Sequence, residues 1–281
     1  MHPAKRKIPL TVLLPSSLLE EASTLREKTS KLGVIGRALA IYRVSEVIIY
    51  EDGRRRSEAS LISKILSYME TPQYLRKYLF SLTPELKYAG LLPPLRTPHH
   101  PDRSVKPSPG QFREGYTLSP SLVDVGLRKP LPLLRNMPPH RRITVKLVEE
   151  GGRLLAEPVS KAQVPFYWGF TVKVEKKTVG TLIKKVNKRT LVIATSRRGS
   201  PISNVASSIV RAWRAAERVY IVYGPPSRGL FELFEEEGLR LEKYSDYVVN
   251  VVPHQGVERI RTEEAIHSSL AIFNYLVLDP E

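Results

Sequence analysis

Strand and helix patterns alternate over the first eighty residues, stop in a run of prolines and resume at Thr190, and that interruption constrains the fold more than any other feature. Ile8-Pro9-Leu10-Thr11-Val12-Leu13-Leu14 is a short apolar run of the kind buried on both faces of a parallel sheet. Ser16 or Ser17 then offers an N-cap, with Glu20 and Glu21 in the first turn and Leu18, Leu19, Ala22 and Leu25 at helical spacing. Val44–Tyr50 predicts a second strand, closed by the Glu51-Asp52-Gly53 turn. Helices are expected from Ser57 through Met69 and over Gln73 to Phe80. Strand–helix–strand–helix with short connections predicts a doubly wound parallel sheet.

Between Pro84 and Pro109 the residues Pro93, Pro94, Pro98, Pro101 and Pro107 predict an extended, helix-free connector. Beyond it, Tyr116–Val125, Arg142–Glu149, Arg153–Val159 and Tyr167–Glu175 read as strands, and Glu150-Gly151-Gly152 as a hairpin turn. About five short strands in some eighty residues suggest a small barrel, with an OB-like fold the natural candidate. Phe166, Tyr167, Trp168 and Phe170 are either stacking platforms for bases or the core of that barrel. Parallel texture then returns, with strands at Thr190–Ala194, Val219–Tyr223 and Tyr247–Val252. Helices are expected over Ser203–Ala216, Leu230–Glu237 and Thr262–Tyr275. The reading is a discontinuous α/β domain: residues 1–92, an inserted basic OB-like module at 93–185, and a C-terminal part at 186–281.

Net charge is +16, and it is uneven. Residues 102–190 hold 18 Lys+Arg against 7 Asp+Glu, whereas residues 191–281 hold 10 against 12. A localised basic module is the footprint of a phosphate-binding surface, so RNA is the expected partner; a merely solvated charged face is the alternative. No apolar run approaches the eighteen or so residues of a membrane span. The basic start at residues 1–7 lacks a signal-peptide core, so a cytoplasmic protein without a membrane partner is expected. Zero cysteines exclude disulfides, zinc–thiolate sites and a Cys nucleophile. His99 and His100 with Asp102 lack a third strong ligand at suitable spacing, so no metal is expected.

Three strand ends in the last ninety residues share a composition: Thr195–Gly199, Gly224–Gly229 and Asn250–Glu264. Gly, Pro and small hydroxyls let backbone groups approach a ligand closely, which suits a neutral purine with a short zwitterionic tail better than a triphosphate. Gly224–Gly229 has P-loop spacing, but Leu230 and Phe231 stand where Lys and Ser/Thr are required. Gly33 and Gly36 do not complete a dinucleotide fingerprint, and Pro225 replaces the first glycine of a nucleophile elbow at Ser227.

The stretch from Asn250 to Ile266, NVVPHQGVERIRTEEAI, resembles the closing motif of the SPOUT methyltransferases, the α/β trefoil-knot family. LRTPHHP (95–101), FREG (112–115), YWGFTV (167–172) and TSRRGS (195–200) are similar to its archaeal and eukaryotic subgroup with an inserted OB-like domain. The resemblance implies a knotted parallel-sheet domain, which periodicity does not show, since knotted chains are essentially absent by default. It implies S-adenosyl-L-methionine as cofactor, with Thr195, Arg198, Gly224, Gly229, Asn250, Val252, Pro253, Gln255, Gly256, Ile260 and Thr262 as its contacts. Thr262 serves equally well as N-cap of the last helix, and both roles can coexist. It further implies a homodimer with each active site near the subunit interface. Gly33–Leu39 is similar to the first motif of related knotted enzymes, so Arg37 joins Arg198 as a catalytic candidate. The expected activity is methyl transfer to RNA, first to uridine N3 in large-subunit ribosomal RNA. A tRNA methyltransferase and a non-catalytic ribosome assembly factor are the alternatives.

Overall fold

The computed structural model describes residues 2–53, 56–101 and 106–278, without the side chains of Arg56 and Ser57. The chain opens with β1 (Leu10–Pro15), α1 (Leu25–Ile41), β2 (Glu46–Tyr50), α2 (Arg56–Glu70) and α3 (Gln73–Leu79). After two 3-10 turns at Pro84–Leu86 and Ala89–Leu91 come β3 (Phe112–Ser119), β4 (Leu122–Asp124), β5 (Leu131–Pro132), β6 (Arg142–Glu150) and β7 (Arg153–Val159). The remainder runs β8 (Thr171–Glu175), α4 (Val179–Ile183), β9 (Thr190–Pro201), α5 (Ile202–Ala215), β10 (Arg218–Val222), α6 (Leu230–Glu236), α7 (Leu241–Tyr244), β11 (Tyr247–Asn250) and α8 (Thr262–Leu276).

Two compact units result. One comprises Arg6–Ser67, Glu85–Pro93 and Phe170–Glu281. Its six strands form a parallel sheet in the order β11-β9-β10-β1-β2-β8. All six residues of β1 are buried, as a central parallel strand covered on both faces requires. Leu13, Ile48, Tyr50, Val192 and Val222 meet Val179 and Ile183 of α4, Leu233 and Phe234 of α6 and Leu241 of α7 in one core cluster. α8 packs on α1, and its Phe273 lies 5.9 Å from Trp213 of α5.

Several expectations are corrected by the structure. The first helix begins at Leu25, not at Ser16 or Ser17. Thr24 is its N-cap, accepting from Glu27 N while the Glu27 carboxylate receives the Thr24 N–H. The Ser16 and Ser17 hydroxyls instead donate to the buried Asp52 carboxylate just beyond β2. Residues 171–175, expected as a barrel strand, pair parallel with β2 and form the edge of the large sheet. The proline connector is interrupted by the two 3-10 turns. Gly33 and Gly36 sit within α1 and not in a turn; Gly33 is buried and lets Pro93 approach, for a Cβ there would lie 2.9 Å from its ring.

The other unit comprises Met1–Lys5, Tyr68–Pro84 and Pro94–Gly169. Its antiparallel sheet runs β5-β4-β3-β6-β7 and nearly closes on itself, with Leu133 bridging to Ala156 and Leu134 N donating to Ala156 O at 2.9 Å. Val123, Val125, Leu133, Val145, Leu147 and Ala156 fill the interior. The expected hairpin joins β6 to β7, with Gly151 and Gly152 both at positive φ, as a two-residue turn matching strand twist demands. The expected strand 116–125 is two strands, broken at Pro120-Ser121. Tyr167, Trp168 and Phe170 are buried, so of that aromatic cluster only Phe166 keeps a half-exposed ring, stacked on His2 at 4.2 Å.

A buried ionic network organises this unit. Glu70 ends α2, and its carbonyl, an orphan acceptor at a helix terminus, receives Nε2–H from both His99 (2.7 Å) and His100 (2.8 Å). The two histidines expected not to bind metal therefore act as a helix cap; Asp102 lies outside the described residues. Among the described residues no group of three His, Cys, Asp or Glu side chains could hold a metal ion. Arg142 spans the Glu70 carboxylate (2.7 Å) and that of Glu114 (2.6 Å), and Glu114 also accepts from Thr144 and from Trp168 Nε1. Gly169 is held at φ +77° against this cluster, where a Cβ would clash with the His99 ring. Burial pushes the Glu70 carboxyl up, but Arg142 and His99 more than offset this and hold it well below the usual carboxylate range. Burial, with His99 alongside, pushes His100 down to about 3.

The sign of the acid response follows. Between about 3 and the ordinary imidazole value near 6.5, the unfolded chain takes a proton that folded His100 refuses. Stability is thus complete above that range and falls with pH within it, and Glu70 adds its own loss below the ordinary carboxylate value. Melting temperature is expected to drop between pH 7 and pH 5, and His100→Gln to flatten that drop. Arg142→Met, which strands two buried carboxylates, is expected to cost about 3–5 kcal/mol in denaturant titrations.

Candidate ligand site at the strand ends

The parallel sheet presents the ends of β9, β10 and β11 side by side, where ligands of such sheets bind. Val248 and Val249 are consecutive in β11, yet they pair with Ala194 and Ser200 of β9. The five residues between, Thr195–Gly199, are forced out of the sheet as a loop pinned at both ends. Gly199 is required there: a Cβ would lie 2.7 Å from the Val248 and Val249 backbone.

Polar side chains of the loops are spent mostly on holding the loops. Thr195 Oγ1 donates to Val222 O (2.9 Å), so the first loop is tied to the end of β10. Asn250 Nδ2 donates to Arg197 O (3.0 Å), while its Oδ1 receives Val252 N–H (3.0 Å). Gln255 Nε2 closes the third loop on Val257 O and Glu258 O, and Arg197 Nη1 reaches the same Glu258 carbonyl at 2.8 Å. The second loop is held from outside, with Glu20 accepting from Ser227 N and Arg228 binding Glu236 and the Asp52 carbonyl.

The loops enclose a cavity of about 360 Å³. Of the predicted residues, Thr195, Arg198, Gly224, Gly229, Asn250, Val252, Gln255, Ile260 and Thr262 line it; Pro253, Gly256 and Arg37 do not. Arg37 lies in mid-helix on α1. Thr262 is the first residue of α8 and is buried; the N-cap is Arg261, whose N–H is received by Glu264 at 2.9 Å. Residues that sequence reasoning missed also line the cavity, among them Tyr223, Leu230, Glu232, Val249 and Arg259. Apolar periodicity hides Tyr223, Leu230 and Val249 among core positions. Tyr223 is buried, shares a 2.5 Å hydrogen bond with Ser269 Oγ on α8, and receives Tyr50 O–H on its carbonyl. Burial pushes both phenols up, so Tyr223 meets the cavity, and Tyr50 stands behind it, as neutral groups.

At the rim, Arg198 pairs with Glu232 at 3.0 Å and lies 4.3 Å over the Phe231 ring. Half-exposed pairs of this kind are worth under about 1 kcal/mol, so Arg198 is oriented without being locked. Arg197, Arg198 and Arg259 are exposed around the opening, giving it a positive edge within a part of the chain that is acidic overall.

Comparison with known proteins bears on this site. A family model described as "Putative RNA methyltransferase" matches residues 9–273. A protein of Drosophila melanogaster named 28S rRNA (uridine-N(3))-methyltransferase is 31% identical, the match covering 93% of this chain and 61% of that one. A human protein of the same name is 30% identical over 95% of this chain and 78% of its own length. An uncharacterized protein of Halobacterium salinarum is 31% identical over 92% of this chain and 96% of its own.

Two glycines test the geometry against composition. Gly199→Ala is expected to cost about 1–3 kcal/mol and to abolish measurable titration of S-adenosylmethionine, because its Cβ meets backbone. Gly256→Ala, with open space around the added methyl, is expected to stay within about 0.5 kcal/mol of wild type. Equal behaviour of the two variants in calorimetry would mean the β9–β11 contact does not shape the site.

Proposed function

The chain belongs to the RNA methyltransferase family, and from that premise we propose that it methylates N3 of a uridine in large-subunit ribosomal RNA, with S-adenosylmethionine as methyl donor. The observation that carries the cofactor assignment is the cavity bounded by three backbone-rich loops. Its volume falls within the roughly 300–1,000 Å³ of small-molecule sites. Gly224 contributes a cradle that a side chain would fill, since a Cβ would lie 3.0 Å from Leu230 N. Of the arginines that line it, Arg228 is bound to Glu236 and the Asp52 carbonyl, and Arg197, Arg198 and Arg259 stand exposed at the opening, where they suit the carboxylate of a zwitterionic tail. We assign the cofactor to Thr195, Arg198, Gly224, Gly229, Asn250, Val252, Gln255, Ile260 and Thr262, with Pro253 and Gly256 shaping the third loop. Bound there, the cofactor supplies an electrophilic methyl group on a sulfonium.

The chain's own residues have two tasks. One is to hold the acceptor base in line, which needs neither metal nor a covalent intermediate. The other is electrostatic. Uridine N3 carries a proton, and its loss places negative charge on the base oxygens. Guanidinium donors aimed at those oxygens stabilise that charge. Arg198 at the rim is one such donor and Arg37 the second. Val34, Arg37 and Ile41 share one face of α1 at helical spacing, and Val34 and Ile41 are 45% and 49% exposed. Tyr275 on α8, the helix packed against α1, is 78% exposed. An apolar stripe around an arginine supports docking of a second copy there, so that the partner's Arg37 completes each site.

The trefoil knot and the OB-like character of the small barrel belong to the same reading. So does the division into residues 1–92, 93–185 and 186–281, with the basic insertion engaging RNA. Among the described residues no helix is long and apolar enough to cross a membrane. The relatives named for uridine N3 support a ribosomal rather than a transfer RNA acceptor.

Tritium transfer from labelled cofactor into ribosomal RNA of a deletion strain, followed by nucleoside mass analysis, tests the activity; label in tRNA alone, or in no RNA, sinks it. Arg37→Ala is expected to keep its melting temperature and cofactor affinity while losing about 100- to 1,000-fold in rate. Mixing Arg37→Ala with Asn250→Ala protein should restore transfer, because a mixed dimer holds one intact site. Failure of the mixture to recover would place Arg37 outside its partner's site.

A further inference from the structure

The basic excess that the sequence presents as one module is divided by the fold. Residues 102–169 hold 11 Lys+Arg against 6 Asp+Glu, whereas residues 170–190, in the parallel-sheet unit, hold 7 against 1. Part of the barrel's charge is also turned inward. Arg142 is committed to Glu70 and Glu114, and Arg113 is buried, with Nη1 donating to Val125 O. On the sheet unit the opposite holds: Lys173, Lys176, Lys177, Lys184, Lys185, Lys188 and Arg189 are all exposed. Lys173 pairs with Glu46 and Arg189 with Glu217. Among the described residues, no carboxylate pairs with Lys176, Lys177, Lys184, Lys185 or Lys188.

Five lysines without a carboxylate partner within thirteen residues, one of them (Lys184) 5.2 Å over the Tyr244 ring, repel one another, which is a cost in the free protein and an attraction for a polyanion. Their setting narrows the partner. Val179 and Ile183 of α4 are buried in the core against α6 and α7, so this stretch offers no apolar helical stripe to a membrane. No aromatic residue occurs from 171 to 190, and among the described residues the one ring against these lysines, Tyr244, is covered by the Lys184 ammonium, so the stretch itself offers no stacking platform for bases. Lysine is a point charge that suits phosphate without reading sequence.

Position completes the argument. All strands of the sheet are parallel, so Lys176 and Lys177, just beyond β8, lie at the same end as the loops after β9, β10 and β11, while Lys184, Lys185 and Lys188 line the return to the start of β9 at the opposite end. Only β1 and β2 separate β8 from β10, three strand spacings or about 14 Å. A few nucleotides of backbone bridge that distance.

We propose that Lys176, Lys177, Lys184, Lys185 and Lys188 form a second phosphate-binding surface, on the sheet unit and independent of the barrel, which grips the RNA backbone along the path from the end of β8 back to the start of β9, with Lys176 and Lys177 at the end nearest the target nucleotide. The inference rests on the RNA methyltransferase reading above, and binding and transfer are measured separately so that the two stand or fall apart. Affinity for a transcript of large-subunit ribosomal RNA is measured by fluorescence anisotropy across a salt series, for the full chain and for K176E/K177E/K184E/K185E/K188E. The expected result is affinity weaker by about tenfold or more, and a slope of log affinity against log salt that falls by about 0.7–0.9 for each phosphate no longer neutralised. Melting temperature and cofactor affinity should not change, and replacing the same five lysines by arginine should retain binding. Should the reversed charges disturb folding, the five Lys→Gln changes carry the same expectation. An unchanged affinity and salt slope overturns the proposal, as does binding of the wild type to phosphatidylserine vesicles but not to RNA. Label transfer into the same transcript reports on the methyltransferase reading alone: a wild type that binds through these lysines yet transfers nothing sinks that reading and leaves the surface standing.

Discussion

A five-residue excursion clamped at both ends by one partner strand is the constraint on which the rest of the site depends. Because Val248 and Val249 pair with Ala194 and Ser200, the loop between cannot relax into the sheet or drift away from it. Its carbonyl at Arg197 then becomes the anchor for Asn250, and the Arg197 side chain becomes the anchor for the third loop at Glu258. One register shift thus couples two loops directly, and Thr195 couples the first to the end of β10. The side-chain hydrogen bonds of Thr195, Asn250 and Gln255 are consumed in this scaffolding.

The two units handle charge in opposite ways. In the barrel unit a helix end, two imidazoles, two carboxylates and a guanidinium satisfy one another out of water. Buried networks of this kind add little net stability over an apolar core, but breaking one partner is expensive, so they specify a unique arrangement. The LRTPHHP string is explained by this: its histidines terminate α2. In the sheet unit the lysines that follow β8 stay in solvent, where desolvation costs nothing and a polyanion gains from each contact. The same residue types therefore do structural work in one unit and remain available for binding in the other.

The site and the α1 face illustrate how little a motif says about geometry. Gly33 and Gly36 mark a motif by composition, yet both lie inside a helix, where Gly33 serves the close approach of Pro93. Arg37 consequently projects from a helix face that also carries Val34 and Ile41, not from a loop over the cavity. A helix face of that composition is suited to contact with another surface.

The sequence by itself determined what is encoded within a few consecutive residues. The apolar run of β1, the Gly151-Gly152 hairpin and the Gly/Pro-rich strand ends are local, because burial on two faces, positive φ and close backbone approach each select residue types on the spot. Tertiary structure decided what depends on partners far along the chain. Residues 171–175 alternate like any strand, and only pairing with β2 removes them from the barrel and carries the lysines behind them onto the sheet unit. Ser16 and Ser17 are as good N-caps as Thr24 in sequence, but Asp52, 35 residues on, claims their hydroxyls, and the helix starts where the capping box with Glu27 is free to form. A strand's two-residue period records which faces are buried and says nothing of its neighbour or its register. The cavity, made by a register shift between β9 and β11, was therefore legible as three loops of the right composition and became a site only when the fold brought them together.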